Sequence, residues 1–221
     1  MHLALDTSSA VAVSLVDDAG TVLAARSDEQ QRHHAELLAP MVAAVLVDAG
    51  VSRTDLASVV VGTGPAPFTG LRVGLVTART LALSLGIPVR GVPSLDALAM
   101  AASRVVPAGT DLLVVTDARR REVYTAGYRA EGPGVVRVTR APAVGAPADV
   151  DQDGAVVVGP GAGLYPDVFD LGSVVPAAVD PAELARLALL RVAAGEPLGT
   201  EPLYLRRPDA VPSAARKRVL G

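Results

Sequence analysis

The chain spells out one architectural phrase twice, and that repeat constrains its fold more than any other feature. Residues 2–25 read as a three-stranded meander. His2–Leu5 runs into Asp6-Thr7-Ser8-Ser9, Ala10–Val16 forms the second strand, Asp17-Asp18-Ala19-Gly20 the turn and Thr21–Ala25 the third. An apolar helix from about His33 to Ala49 follows, carrying Pro40 and closed by Gly50. The β-branched run Val59-Val60-Val61 then leads through a Gly-rich loop into a helix from about Gly70 to Leu85, stopped by Gly86 and Pro88. In the second half Leu112–Thr116 runs into Asp117, Val123–Tyr128 is the next strand, Glu131-Gly132-Pro133-Gly134 the turn and Val135–Val138 the third. Val156-Val157-Val158-Gly159-Pro160-Gly161 echoes Val59-Val60-Val61-Gly62-Thr63-Gly64. Asp180-Pro181-Ala182-Glu183 supplies an N-cap, a first-turn Pro and a capping-box Glu for a last helix ending near Gly195.

A phrase of meander, acidic strand end, helix, strand and Gly-rich loop, stated twice, predicts duplicated α/β lobes around a cleft. The matching fold class is the actin-like, ribonuclease H-like (ASKHA) two-lobe architecture shared with sugar kinases. The boundary falls between residues 1–103 and 104–221, with the last residues returning to the first lobe. One continuous doubly wound sheet is the alternative.

Such folds normally grip ATP and a metal, yet the working groups are missing here. The loop VGTGPAPFTGLRVG (61–74) has no Gly three residues after Gly64, so it fails the dinucleotide fingerprint. It lacks the Walker lysine too, since the one Lys of the chain is Lys217. Asp6, Thr7, Thr69 and Gly70 remain as candidates for a weak nucleotide or anion contact at the helix start. His33-His34 have the wrong spacing for two ligands on one helix face, so no metal is expected. Asp6 and Asp117, with Asp167 or Asp170, could meet in the cleft as a magnesium or acid–base set, although turn and cap roles suit them as well. The alternative function that follows is an actin-fold ATPase or small-molecule kinase using Asp6 and Asp117. Cys is absent, which removes thiolate chemistry and disulfides. Aromatics make up 3% with no Trp, and the net charge is −3, so a free-standing RNA reader is not expected. Arg119-Arg120-Arg121 and the tail Arg216-Lys217-Arg218 stand out against that balance as solvated turns or anion contacts. No apolar run reaches membrane-spanning length, and a cytoplasmic location is expected.

The helices carry a different signal. In the helix from Gly70, Gly74, Ala78 and Ala82 recur every four residues beside Leu71, Leu75, Leu81 and Leu85, which predicts close packing on the sheet. Val73, Val76 and Leu83 fall on the other side, between Arg72 and Arg79 on one flank and Thr77, Thr80 and Ser84 on the other. An apolar strip with a polar rim suits a protein interface. The helix from His33 is equally short of charge, with Met41, Val42, Val45, Leu46 and Val47.

These residues resemble the TsaB (YeaZ) family. Asp6-Thr7-Ser8 resembles its opening strand end, and His34 with Leu37-Leu38-Ala39-Pro40 its first interface helix. Gly62-Thr63-Gly64-Pro65, Phe68-Thr69-Gly70-Leu71-Arg72 and Gly74 match its most recognisable loop. Asp117-Ala118-Arg119-Arg120 and Glu122-Val123-Tyr124 match its second-lobe signature, and Pro202 with Tyr204-Leu205-Arg206 its C-terminal one. Two positions depart: Ala66-Pro67 where the family usually has Gly-Ser, and Arg121 where it has a Gly or another small or polar residue. The resemblance implies a noncatalytic subunit, without a competent ATP or metal site of its own, that pairs with TsaD. TsaD transfers threonylcarbamoyl to the tRNA adenosine beside the anticodon, and the ATPase TsaE joins them. It also implies homodimers of the isolated chain, tRNA contact only through the complex, no membrane partner, and ATP or ADP as a ligand of the complex interface. The partner surface is then expected on His34, Leu38, Met41, Val42, Val45, Leu46, Arg72, Val73, Val76, Arg79, Thr80 and Leu83.

Overall fold

In the computed structural model, residues 1–28, 34–170, 174–175 and 178–206 are described. The first lobe begins with β1 (His2–Asp6), β2 (Val11–Val16) and β3 (Val22–Asp28) as an antiparallel meander. After α1 (His34–Asp48) come β4 (Ser58–Gly62), α2 (Phe68–Leu85) and β5 (Val89–Val92). The sheet order is β3-β2-β1-β4-β5, with β4 parallel to both β1 and β5. β1, β2 and β4 are buried along their whole length, which is why they read as unbroken apolar runs rather than alternating ones. Leu38, Val42 and Val45 of α1 and Leu71, Leu75, Ala78 and Ala82 of α2 pack on Leu3, Leu5, Val13, Leu15, Val59 and Val61.

The second lobe has β6 (Asp111–Arg119), β7 (Glu122–Gly132), β8 (Val135–Gly145), β9 (Val156–Val158) and β10 (Val174–Val175) in the order β10-β9-β6-β7-β8. Read from the meander edge, the two sheets have the same topology, and the duplicated actin-like fold follows. The phrase is not repeated whole, however. Where the first lobe has α1 and α2, the described residues of the second form only 3-10 turns, Pro147–Asp149 and Ala162–Leu164. Pro147, Gly154, Pro160 and Pro166 interrupt these connections, so no helical run can form there. The outer face of the second sheet is closed instead by Ala162 and Phe169 against Leu113, Val115, Val123 and Val157.

Two helices change places between the lobes. α3 (Ser94–Ser103), which follows the first sheet, packs on β6, β7, β8 and β9. α4 (Pro181–Ala193), which follows the second, packs on β1, β2, β4 and β5 and also touches α3. Their shared core joins Ala4, Val60 and Val92 of one sheet to Val114, Ala126 and Tyr128 of the other. Asp180 caps α4 through the Ala182 amide as expected, but Glu183 does not complete a capping box. Its carboxylate pairs with Arg104 at 3.1 Å and Arg186 at 2.5 Å, tying α3 to α4. Tyr128 donates to Asp96 at 2.8 Å, and Arg191 closes on the same carboxylate at 2.6 Å. β5 and α3 are not anticipated from the sequence, because Leu95–Ala102 is apolar nearly all round and no helical period separates an inner from an outer face. Among the described residues no helix is long and apolar enough to cross a membrane.

Candidate partner surface and interlobe cleft

The strand-to-helix turn places α2. Gly64 sits at φ +87° before a cis Pro65, and Pro67 is the N-cap without any side-chain cap. Thr7, at the end of β1, donates to the Gly70 carbonyl at 2.8 Å. A side chain at Gly74 would collide with that same Thr7 hydroxyl, so α2 lies as close to β1 as a helix can. The turn is thus filled from below, and its outward products are the first side chains of α2.

Those side chains form a hollow of about 460 Å³ lined by Phe68, Thr69, Arg72, Val73, Val76 and Thr77. Val76 is 61% exposed and Leu83 84%, whereas Val73 is half-buried against the core. Thr80 is exposed beside them. On α1 the expectation needs correcting. Leu38, Val42 and Val45 are buried in the core and offer no outward surface, while Met41 and Leu46 are partly buried. The exposed stripe of α1 is instead Ala39, Pro40, Ala43 and Val47. A helix that is apolar on every side does not reveal which stripe turns inward. His34 opens α1 but its side chain, like His33 and Arg216-Lys217-Arg218, lies outside the described residues.

Arg72 and Arg79 carry a second task. The segment 196–206 crosses back over the first lobe as a strap, with Gly91 N bonded to Leu198 O at 3.3 Å and Leu203 N to Thr63 O at 2.9 Å. Arg79 donates to Thr200 Oγ1 at 2.9 Å and to its carbonyl at 2.6 Å. Arg72 donates to the Tyr204 hydroxyl at 2.9 Å while lying 3.4 Å over the Phe68 ring, which stacks on Tyr204 with centroids 5.2 Å apart. Arg206 then reaches the second lobe, donating to Ala118 O and pairing with Glu122. Phe68 lines the hollow with Tyr204 stacked on it, and neither stands among the expected partner residues. Their signal in the sequence is that a chain with 3% aromatics places two of them in its loop and tail motifs.

The cleft between the lobes holds about 410 Å³ and is lined by both strand-end acids, Asp6 and Asp117, with Ser8, Ser94, Thr116, Arg119 and the prolines Pro65, Pro67 and Pro160. Asp6 and Asp117 are therefore brought together, while Asp167 and Asp170 stay outside the lining. The two acids are held differently. Asp6 is 1% exposed and accepts from Ser8 N at 2.7 Å, Ser8 Oγ at 2.5 Å and Ser94 Oγ at 2.6 Å. Burial pushes its carboxyl above the ordinary carboxylate value, against the pull of those bonds. Gly62 is obligatory beside it, because a Cβ there would overlap the Asp6 carboxylate. Asp117 is half-buried, accepts from Arg119 N at 2.7 Å and pairs with the Arg119 guanidinium at 3.2 Å. The Gly159–Gly161 echo does equivalent work: Gly159 adopts φ +104°, and a Cβ on Gly161 would lie 2.8 Å from the Thr116 backbone. Among the described residues no group of three His, Asp or Glu side chains could hold a metal ion. Asp6, Thr7, Thr69 and Gly70 do not form one anion site. Asp6 faces the cleft, Thr7 is committed to the Gly70 carbonyl, and Thr69 opens on the α2 hollow.

Residues 21–154 match a family model described as TsaD, tRNA N6-adenosine threonylcarbamoyltransferase. An uncharacterized protein of Mycobacterium tuberculosis is 46% identical over 214 residues, covering 96% of this chain and 94% of its own. The tRNA threonylcarbamoyladenosine biosynthesis protein TsaB of Escherichia coli is 35% identical over 222 residues, covering 92% of this chain and 94% of its own. The crystal structure of YeaZ from Pseudomonas aeruginosa superposes with a TM-score of 0.78 at 33% identity, over 92% of this chain and 99% of that one. The chain belongs to the TsaB (YeaZ) family. Seen as TsaB motifs, the signature residues are those that place α2 and the strap: Gly62 and Gly74 admit Asp6 and Thr7, and Tyr204 and Arg206 fasten the tail. The departures from the TsaB pattern are both in turns. Ala66 is buried and Pro67 caps α2, whereas Arg121 sits at φ +62° in the β6–β7 hairpin, where the family's Gly is at ease.

Proposed function

We propose that the chain is a noncatalytic subunit of the machinery that makes N6-threonylcarbamoyladenosine at adenosine 37 of tRNA. It acts as a scaffold and activator that dimerises with TsaD through α1 and α2, with TsaE joining the pair. The observation that carries this reading is the outer face of α2, where Val76 and Leu83 stand in water beside an open hollow, while Pro40, Ala43 and Val47 of α1, a helix in contact with α2, are exposed as well. Large apolar side chains held out on rigid helices, with the arginines and threonines at their edges, have the composition of an interface core and rim. The cleft supports the same reading from the other side: each of its acids is already engaged by neighbours of its own lobe. In this scheme the subunit needs no cofactor of its own, ATP or ADP binds at the joint with TsaD, and tRNA is met through the complex. The isolated chain pairs with itself through the same face, in the cytoplasm. Co-purification tests this. Val76→Asp should abolish capture of TsaD while circular dichroism and the unfolding midpoint stay at wild-type values, and undiminished capture would sink the proposal.

A further inference from the structure

The β6–β7 hairpin carries a feature that its fold does not require. Arg119 pairs with Glu122 in the ladder, so Arg120-Arg121 form a two-residue loop. All three arginines adopt positive φ: +62°, +54° and +62°. Loops of this kind need φ > 0 at both central residues and are ordinarily Asn-Gly or Asp-Gly, because a Cβ is strained there. The equivalent β1–β2 connection of the first lobe, Thr7-Ser8-Ser9-Ala10, carries no charge at all. The second lobe thus keeps three exposed guanidiniums at a place where its backbone favours other residues. The turn is also braced. The Asp117 carboxylate fixes Arg119 N at 2.7 Å, and Arg206 of the strap holds Ala118 O and Glu122. Within residues 117–122 three arginines stand in sequence with two acids, Asp117 and Glu122, a formal charge of +1 on a six-residue stretch of a chain whose net charge is −3.

We infer that the Arg119-Arg120-Arg121 turn is a contact for the RNA phosphate backbone, through which this subunit helps to hold the tRNA while the complex modifies it. Guanidinium forks on a rigid turn match phosphate oxygens in geometry and charge, and they read backbone rather than sequence. The scarcity of aromatics fits a contact of that kind, with no base stacking. The choice of RNA as the polyanion rests on the tRNA-modification reading above.

The test uses R120N/R121G, which installs the residues the turn favours and removes two charges. Binding of an unmodified tRNA transcript is measured for the full chain at low salt and for its assembly with TsaD between 50 and 200 mM salt. The variant should unfold about 2 to 4 °C higher, since strain is relieved. It should bind tRNA about tenfold more weakly, with a log–log salt slope shallower by about 1 to 2. Stability and binding then move in opposite directions, which loss of structure cannot produce. Unchanged affinity and slope would overturn the inference whatever the stability does. Loss of TsaD capture by the variant would also overturn it, by assigning the turn to a protein joint. A wild-type chain that never captures TsaD defeats the proposed function instead, and the tRNA affinity of the isolated chain at low salt still decides the arginine contact.

Discussion

The two lobes share a strand order and differ in what covers it. Over β1, β2 and β4 lie two long helices with apolar outer faces; over β6 and β9 lie 3-10 turns and a single large plug, Phe169. Either cover is enough to close a sheet. The extra helical mass on the first lobe is therefore not needed for the fold, and what distinguishes it is that Val47, Val76 and Leu83 stand outward on rigid elements. Duplication supplied two equal platforms, and in the proposed scheme only one serves as a docking face.

Charge placement gives the largest test of that contrast. An aspartate at Val76 should eliminate partner capture, whereas Leu164→Asp, equally exposed on the cover of the second lobe, should leave it intact. Equal loss from both would erase the distinction between the faces. Removal of the plug comes next. Phe169→Ala should cost about 3 to 5 kcal/mol in chemical denaturation, as for a fully buried aromatic, with TsaD capture by the folded fraction unchanged. A smaller effect belongs to the strap: Tyr204→Ala removes the stack on Phe68 and the acceptor for Arg72, and should cost about 1 kcal/mol or less. The smallest separates the two cleft acids. Asp6 has a folded pKa above its unfolded 3.8, so its contribution is fully present below that value and is lost as pH rises through the raised folded pKa. The stability difference, wild type minus Asp6→Asn, should then fall as the pH rises above about 4 in urea titrations. A flat difference would show that the carboxyl is not held in the protonated direction by burial.

Much of this was legible in the residues. The two meanders, the strand-end acids meeting in one cleft and the Gly62 and Gly159 echo follow from patterns that depend on neighbours in sequence. So does the outward setting of Val76 and Leu83, because small residues at Gly74, Ala78 and Ala82 mark the inner side of α2 unambiguously. α1 has no such marker, so its sequence does not separate Leu38, Val42 and Val45, which are buried in the core, from the stripe that faces water. The helix exchange between lobes and the strap were not legible at all. They depend on contacts such as Arg191 with Asp96 and Arg79 with Thr200, whose partners lie about a hundred positions apart. Local periodicity carries no information at that range.

The exchange of α3 and α4 also sets a timetable for synthesis. When the first hundred residues leave the ribosome, one side of their sheet, including Ala4, Val16, Val60 and Val92, has nothing to lie against, because its cover is residues 181–193. The first lobe cannot finish folding ahead of the second, because α4, made after the strands of both sheets, is the helix that completes the first one. A partner that recognises the finished face of α1 and α2 would therefore meet a chain in which residues 181–193 have already been made.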